Sequence, residues 1–158
     1  MSDRILLVDD HEVLLEGIRT LVERSGRQWE ICGMAHDGQE GVEMVRALKP
    51  DIVILDISMP VMNGIEAARA ITSENGKSKI LLFTMHDSDR IEKEAREAGA
   101  RGVVVKSQAA RSLIRAIDAV LAGGTFFGSE SDGDSSAVSP QKRKPGMGGP
   151  LFLAALSF

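Results

Sequence analysis

Short, continuously apolar runs alternate with one-sided apolar stripes along most of this chain, and that alternation leaves few folds open. Residues 4–8, 51–55, 79–83 and 102–105 are apolar almost throughout, which is the pattern of strands covered on both faces of a sheet. The weaker run 29–35 predicts a further strand nearer an edge. Between the runs, apolar residues recur at helical spacing: Leu14, Ile18, Leu21 and Val22; Val42, Val45 and Leu48; Ile65, Ala68 and Ile71; Ile91, Ala95 and Ala98; Leu113, Ile114, Ile117, Val120 and Leu121. Gly99 and the pair Gly123 and Gly124 supply stops for the last two helices. Strands alternating with helices of this length predict a doubly wound α/β domain around a five-stranded parallel sheet.

Right-handed crossovers with helices on both faces lead to a flavodoxin-like (βα)5 arrangement with strand order 2-1-3-4-5. In such a sheet, ligands bind outside the carboxyl ends of the strands. Asp9 and Asp10 follow the first run, Asp56 the run at 51–55, Thr84 the run at 79–83 and Lys106 the run at 102–105. Taken singly, each has an ordinary explanation. An Asp after a strand commonly caps a helix, and Asp10 is expected to act as cap as well as ligand. Thr84 alone reads as a turn residue and Lys106 alone as a surface charge. Together they predict one crevice holding three carboxylates, a hydroxyl and an ammonium. The acids call for a hard cation such as Mg2+, which keeps several waters and needs only one or two carboxylates plus a carbonyl. The lysine calls for an anion such as phosphate. With a metal to offset charge repulsion, Asp56 is a candidate nucleophile toward a phosphoryl group, with Lys106 and Thr84 on the phosphoryl oxygens.

Composition removes several classes of function. The net charge of -4 belongs to the first 128 residues, because residues 129–158 carry three acids (Glu130, Asp132, Asp134) and three bases (Lys142, Arg143, Lys144). An acidic domain is a poor nucleic-acid binder, and no aromatic residue interleaves the basic cluster, so direct nucleic-acid contact is not expected. The single cysteine, Cys32, excludes an internal disulfide and fits a reducing compartment. No segment approaches the roughly 18 apolar residues of a membrane span, and no secretory signal opens the chain. A cytoplasmic protein without membrane association is the expectation. Residues 129–145 have the composition of a solvated linker, and 151–158 are apolar again. The expected organisation is one domain over 1–128, then a low-complexity linker and short apolar tail over 129–158, with no output domain.

The residues gathered above resemble a family: the receiver domain of two-component response regulators, in particular receivers that precede a C-terminal helix-turn-helix domain. The resemblance rests on Leu6 to His11, on Leu55 to Pro60 with Val61 to Glu66, on Thr84 after its strand, on Ala98 to Gly102 and on Lys106; Gly123 to Phe127 resembles the close of receivers joined to such a domain. It implies that Asp56 is the phosphorylation site, taking a phosphoryl group from a phosphohistidine on a sensor histidine kinase or phosphotransfer protein. It also implies that Asp10, Asp56 and the backbone carbonyl of Ser58 ligate Mg2+, with Asp9 acting through water. Thr84 and Lys106 match the family's hydroxyl and lysine, and Pro60 and Gly64 its turn after the phosphoacceptor strand, where the glycine is expected to take a conformation closed to other residues. A surface formed by the fourth helix, last strand and final helix is the one the family uses for output, and a weak homodimer through it is expected here.

Two positions depart from the family pattern. Val103 stands where many receivers carry a switching aromatic residue, and Ser107 where a proline often follows the lysine. Three other readings compete. A degenerate receiver would act as a phosphorylation-independent binding module, but the acidic, hydroxyl and lysine positions are all filled. An aspartyl-phosphate phosphohydrolase resembles families with a second Asp two residues after the nucleophile, where this chain has Ser58. A flavin module would need hydroxyls and glycines after the first strand, and Asp9, Asp10 and Glu12 would repel its phosphate. The expected activity is therefore signalling, with weak self-phosphorylation and self-dephosphorylation.

Overall fold

The apolar runs become strands because their alternate residues find cores on opposite sides of one sheet. In the computed structural model, residues 2–74 and 76–128 are described; the expected linker and tail, 129–158, lie outside them. The chain runs β1 (Asp3–Val8), α1 (Glu12–Arg24), β2 (Trp29–Ala35), α2 (Gly38–Leu48), β3 (Ile52–Asp56), α3 (Gly64–Glu74), β4 (Lys79–Thr84), α4 (Asp89–Glu97), β5 (Gly102–Val105) and α5 (Ala109–Leu121). All strand pairs are parallel and the order is β2-β1-β3-β4-β5. This is the flavodoxin-like order expected, with β2 at one edge.

Period-2 alternation divides the strands between two cores. Leu6, Val8, Val53, Leu55, Leu82 and Val103 pack with α2 and α3 through Val42, Val45, Ala68 and Ile71, and with Ala95 of α4. Ile5, Leu7, Ile54, Leu81, Phe83 and Val104 pack with α1 and α5 through Leu15, Ile18, Leu113 and Ile117. β3, in the middle of the sheet, is buried along its whole length, Asp56 included.

Local chemistry sets the helix starts. Asp37 accepts the Glu40 N–H and caps α2, and Ser88 accepts the Ile91 N–H and caps α4. At α3, Asn63 Oδ1 accepts the Glu66 N–H at 2.9 Å while Glu66 Oε1 accepts the Asn63 N–H at 3.0 Å, a reciprocal capping box. No helix among the described residues is long and apolar enough to cross a membrane.

Candidate functional site

Parallel register brings the strand-end residues together. Asp56 pairs with Phe83 at the ends of β3 and β4, and Thr84 pairs with Val105, the residue before Lys106. Asp9 follows β1, the other neighbour of β3, and its N–H donates to Ala35 of β2. Asp9 and Asp56 are each only 2 % exposed, so two carboxylates share one nearly dry pocket.

Lys106 compensates them. Its Nζ lies 3.0 Å from Asp56 Oδ1 and 3.2 Å from Asp9 Oδ2. The second contact is ionic rather than a well-aligned hydrogen bond, and Asp9 Oδ2 and Asp56 Oδ2 are both buried without a hydrogen-bond donor. Burial pushes the Asp56 carboxyl above its ordinary range; the hydrogen bond from Lys106 pulls it back, and the charge on Asp9 pushes the same way as burial. Burial also works against the Lys106 ammonium, but its hydrogen bond and attraction to Asp56, with the pull of Asp9, outweigh that and hold its pKa above the usual lysine value.

Asp10 has a side chain 33 % exposed and stands at the mouth of the pocket. One ligand atom each from Asp9, Asp10, His11 and Asp56 lies within 4.8 Å of all the others. Two buried carboxylate oxygens without donors, beside a third, more accessible carboxylate, suit a hard divalent cation. Ser58 meets the site through its backbone, donating its N–H to Asp56 Oδ1 at 3.4 Å. Thr84 is buried next to β5, but its hydroxyl donates to the His86 carbonyl at 3.0 Å, within its own loop. A cavity of about 750 Å³ opens beside the carboxylates, with Asp10, Ser58, Met59, Arg69 and Arg90 among its walls.

Two local expectations need correction. Asp10 does not cap α1: the N-cap position is His11, with no side-chain cap hydrogen bond. Gly64 is not a residue of unusual conformation. Its requirement is space, since a Cβ there would stand 2.2 Å from the Asp56 carbonyl oxygen. The unusual conformation in this turn belongs to Val61, at φ 69°.

Sequence reasoning assigned His11 no role. Its backbone N–H and its Nδ1 each lie 2.9 Å from Asp9 Oδ1, and Nδ1 lies 3.2 Å from Asp10 Oδ1. A histidine directly after two acidic residues at a strand end was the available signal.

Carboxylates, a lysine and a metal-compatible cluster lie together at the strand ends of a 2-1-3-4-5 doubly wound α/β domain. Residues 5–118 match the response regulator receiver domain family, and the chain belongs to it. It is 35 % identical over 121 residues to the transcriptional regulatory protein LnrK of Bacillus subtilis, covering 77 % of this chain and 54 % of that protein. It is 34 % identical over 126 residues to the response regulator UvrY of Escherichia coli O6:H1, covering 80 % of this chain and 57 % of UvrY. The chain thus spans little more than half the length of these curated relatives. Among solved structures, a LuxR-family two-component response regulator from Aurantimonas sp. SI85-9A1 superposes with a TM-score of 0.76 at 41 % identity, over 80 % of this chain and 89 % of that one. The signal receiver domain of the putative regulator NarL from Mycobacterium tuberculosis superposes at 0.73 with 30 % identity, over 77 % and 98 %.

Proposed function

We propose that this receiver, taken as residues 1–128, accepts a phosphoryl group on Asp56 from a phosphohistidine of a sensor histidine kinase or phosphotransfer protein in the cytoplasm, with Mg2+ as cofactor. The observation that carries the reading is the placement of Asp56: a buried carboxylate with one oxygen on Lys106 and the other without a donor. Its Oδ2 would bond to phosphorus as the P–N bond breaks, and the imidazole leaves neutral after taking a proton from solvent. Lys106, already 3.0 Å from Asp56, would follow the phosphoryl oxygens and hold their charge. The Thr84 hydroxyl would turn from the His86 carbonyl to a phosphoryl oxygen. Asp10, Asp56 and the Ser58 carbonyl would hold the metal, with Asp9 acting through water; the metal would neutralise charge between carboxylate and phosphoryl group.

A protein donor suits the rim of the pocket. Val13, Val61 and Met85 are the large hydrophobic residues left exposed among the described ones, and they stand at the start of α1, in the β3–α3 loop and in the β4–α4 loop. All three positions follow strand carboxyl ends, the end of the sheet on which the charged pocket lies.

The test is the mass of the intact protein after incubation with Mg2+ and a small phosphodonor. Wild type should gain one phosphoryl group and Asp56→Asn none. Equal labelling of the variant would remove Asp56 from the role, and no labelling of either would favour a receiver that only binds.

A further inference from the structure

His11 lies against the carboxylate pocket, yet it belongs neither to the metal ligands nor to the phosphoryl-binding groups assigned above. Its Nδ1 stands 2.9 Å from Asp9 Oδ1 and 3.2 Å from Asp10 Oδ1. The backbone sets that position: the His11 N–H donates to the same Asp9 oxygen at 2.9 Å, and the residue is extended, at φ -106° and ψ 105°, just before α1. One donor atom apiece from Asp9, Asp10, His11 and Asp56 falls within 4.8 Å of the others. The set is close to the size of a metal shell, since four ligands about 2.1 Å from a tetrahedral ion stand about 3.4 Å apart.

Acidic side chains gathered at a surface need no ion, but two features of this pocket call for one. Asp9 and Asp56 are each 2 % exposed, and Oδ2 of both is buried with no hydrogen-bond partner. Three carboxylates also face a single ammonium, Lys106, at 3.0 Å from Asp56 Oδ1 and 3.2 Å from Asp9 Oδ2, which leaves unbalanced the charge that one divalent cation carries. The oxygens by themselves suit Mg2+, which keeps several waters. An imidazole in the same shell changes the class of ion, because ring nitrogen suits Zn2+, Cu2+ and Ni2+.

We propose that His11 is a fourth ligand, through Nδ1, which makes this pocket a site for a transition-metal ion of the Zn2+ class in competition with Mg2+. The assignment rests on the metal reading of the pocket above and not on phosphoryl transfer. The ring gives up its contact with Asp9 Oδ1, carries its proton on Nε2 as the neutral imidazole, and turns the Nδ1 lone pair to the metal. Its side chain is 64 % exposed, so water serves as acceptor for Nε2–H. Carboxylates of Asp9, Asp10 and Asp56 complete the shell. A shell closed by protein leaves no position for a phosphoryl oxygen, whereas Mg2+ keeps waters that such an oxygen replaces. Zn2+ held in this way therefore keeps the receiver unphosphorylated.

Titration calorimetry of the full chain with Zn2+ and with Mg2+ tests the ligand. Wild type should bind one Zn2+ about tenfold or more tightly than Mg2+, and Asp56→Asn should weaken both. His11→Ala, which truncates an exposed side chain, should lower the ratio of Zn2+ to Mg2+ affinity about tenfold or more. A loss shared equally by the two cations would mean that His11 only positions the carboxylates, and Zn2+ affinity indifferent to His11→Ala or to Asp56→Asn would place the ion elsewhere; each result overturns the proposal while Mg2+ binding stands. Binding of neither cation would overturn the metal reading and this assignment with it. The block on phosphorylation has its own readout. One equivalent of Zn2+ should abolish the mass gained from Mg2+ and a small phosphodonor in wild type but not in His11→Ala. Undiminished uptake by Zn2+-loaded wild type would overturn the closed shell. A wild type that takes up nothing without Zn2+ would overturn the phosphoacceptor reading and the block with it, and the calorimetry would still decide the ligand.

Discussion

Asp56 sits where burial and a neighbouring carboxylate both disfavour its charge, and Lys106 offsets only part of this. A neutral isostere keeps the shape and removes the repulsion, and Asp9 remains as partner for Lys106. Asp56→Asn should therefore stabilise the metal-free protein at neutral pH by on the order of 1 kcal/mol, a rise in Tm of about 3 °C. A lower Tm in thermal denaturation would mean that Lys106 needs both acids. The turn after Asp56 holds a second local tension. Val61 is a β-branched residue in the left-handed region and 81 % exposed, so little packing is lost on replacement. Val61→Gly should stabilise by about 1 kcal/mol, the relief of strain exceeding the added chain entropy. Gly64→Ala should cost at least about 2 kcal/mol and displace the end of β3, because the new methyl has only backbone to push against. Chemical denaturation of the two variants checks both signs.

At the scale of elements, α4 buries only Ala95 and carries a carboxylate whose titration is displaced by its surroundings. Burial, helped by hydrogen bonding and repulsion from Asp87, raises the Glu92 pKa from 4.5 to about 7, against the pull of Arg96 and the Gly128 N–H. The folded state thus keeps a proton that the unfolded chain releases near 4.5. The stability this group contributes is full below 4.5 and is lost as pH rises through about 7. Glu92→Gln, which cannot ionise, should flatten this part of the profile and be more stable than wild type at about pH 8, where the wild-type carboxylate is charged. Denaturant melts on either side of neutrality measure it; a parallel decline in both proteins would remove Glu92 as the cause.

Two consequences belong to the whole molecule. A cation drawn to Asp10 and Asp56 binds the folded chain only, so Mg2+ should raise Tm in a concentration-dependent way. Asp10→Ala should weaken that response more than Asp9→Ala, since Asp9 is already engaged by Lys106 and His11. An identical Mg2+ response in wild type and both variants would count against the metal reading. A dimer through α4, β5 and α5, expected from the family resemblance, would find several of the charges on that surface already engaged within the chain. Asp118 pairs with Arg27 at 2.5 Å, Arg90 with Glu94 at 3.4 Å, and Arg96 and Arg115 lie over Phe127 and Phe126. Arg111 is exposed in the first turn of α5; sedimentation should accordingly show weak dimerisation, which charge reversal at Arg111 weakens and charge reversal at Arg90 barely alters.

Much of the fold and most of the site were legible in the sequence, for one physical reason. A strand buried on both faces must be continuously apolar, so the polar residue that ends it marks the carboxyl ends where ligands bind, and Asp9, Asp56, Thr84 and Lys106 were visible on that ground alone. Spacing along one chain carries no information about which groups meet across it. That His11 rather than Asp10 occupies the α1 cap, that Gly64 is needed for room, that Val61 bears the strain and that the Thr84 hydroxyl rests on His86 are decided by packing around the β3 and β4 ends. The segment after α5 is the clearest case, since Phe126 exchanges backbone hydrogen bonds with Arg101 and Val103. Phe126 and Phe127 read as the last residues before a linker, and only the assembled sheet, with Gly102 at the open edge of β5 and Arg96 on α4, brings Phe126 onto that edge and Phe127 under the guanidinium.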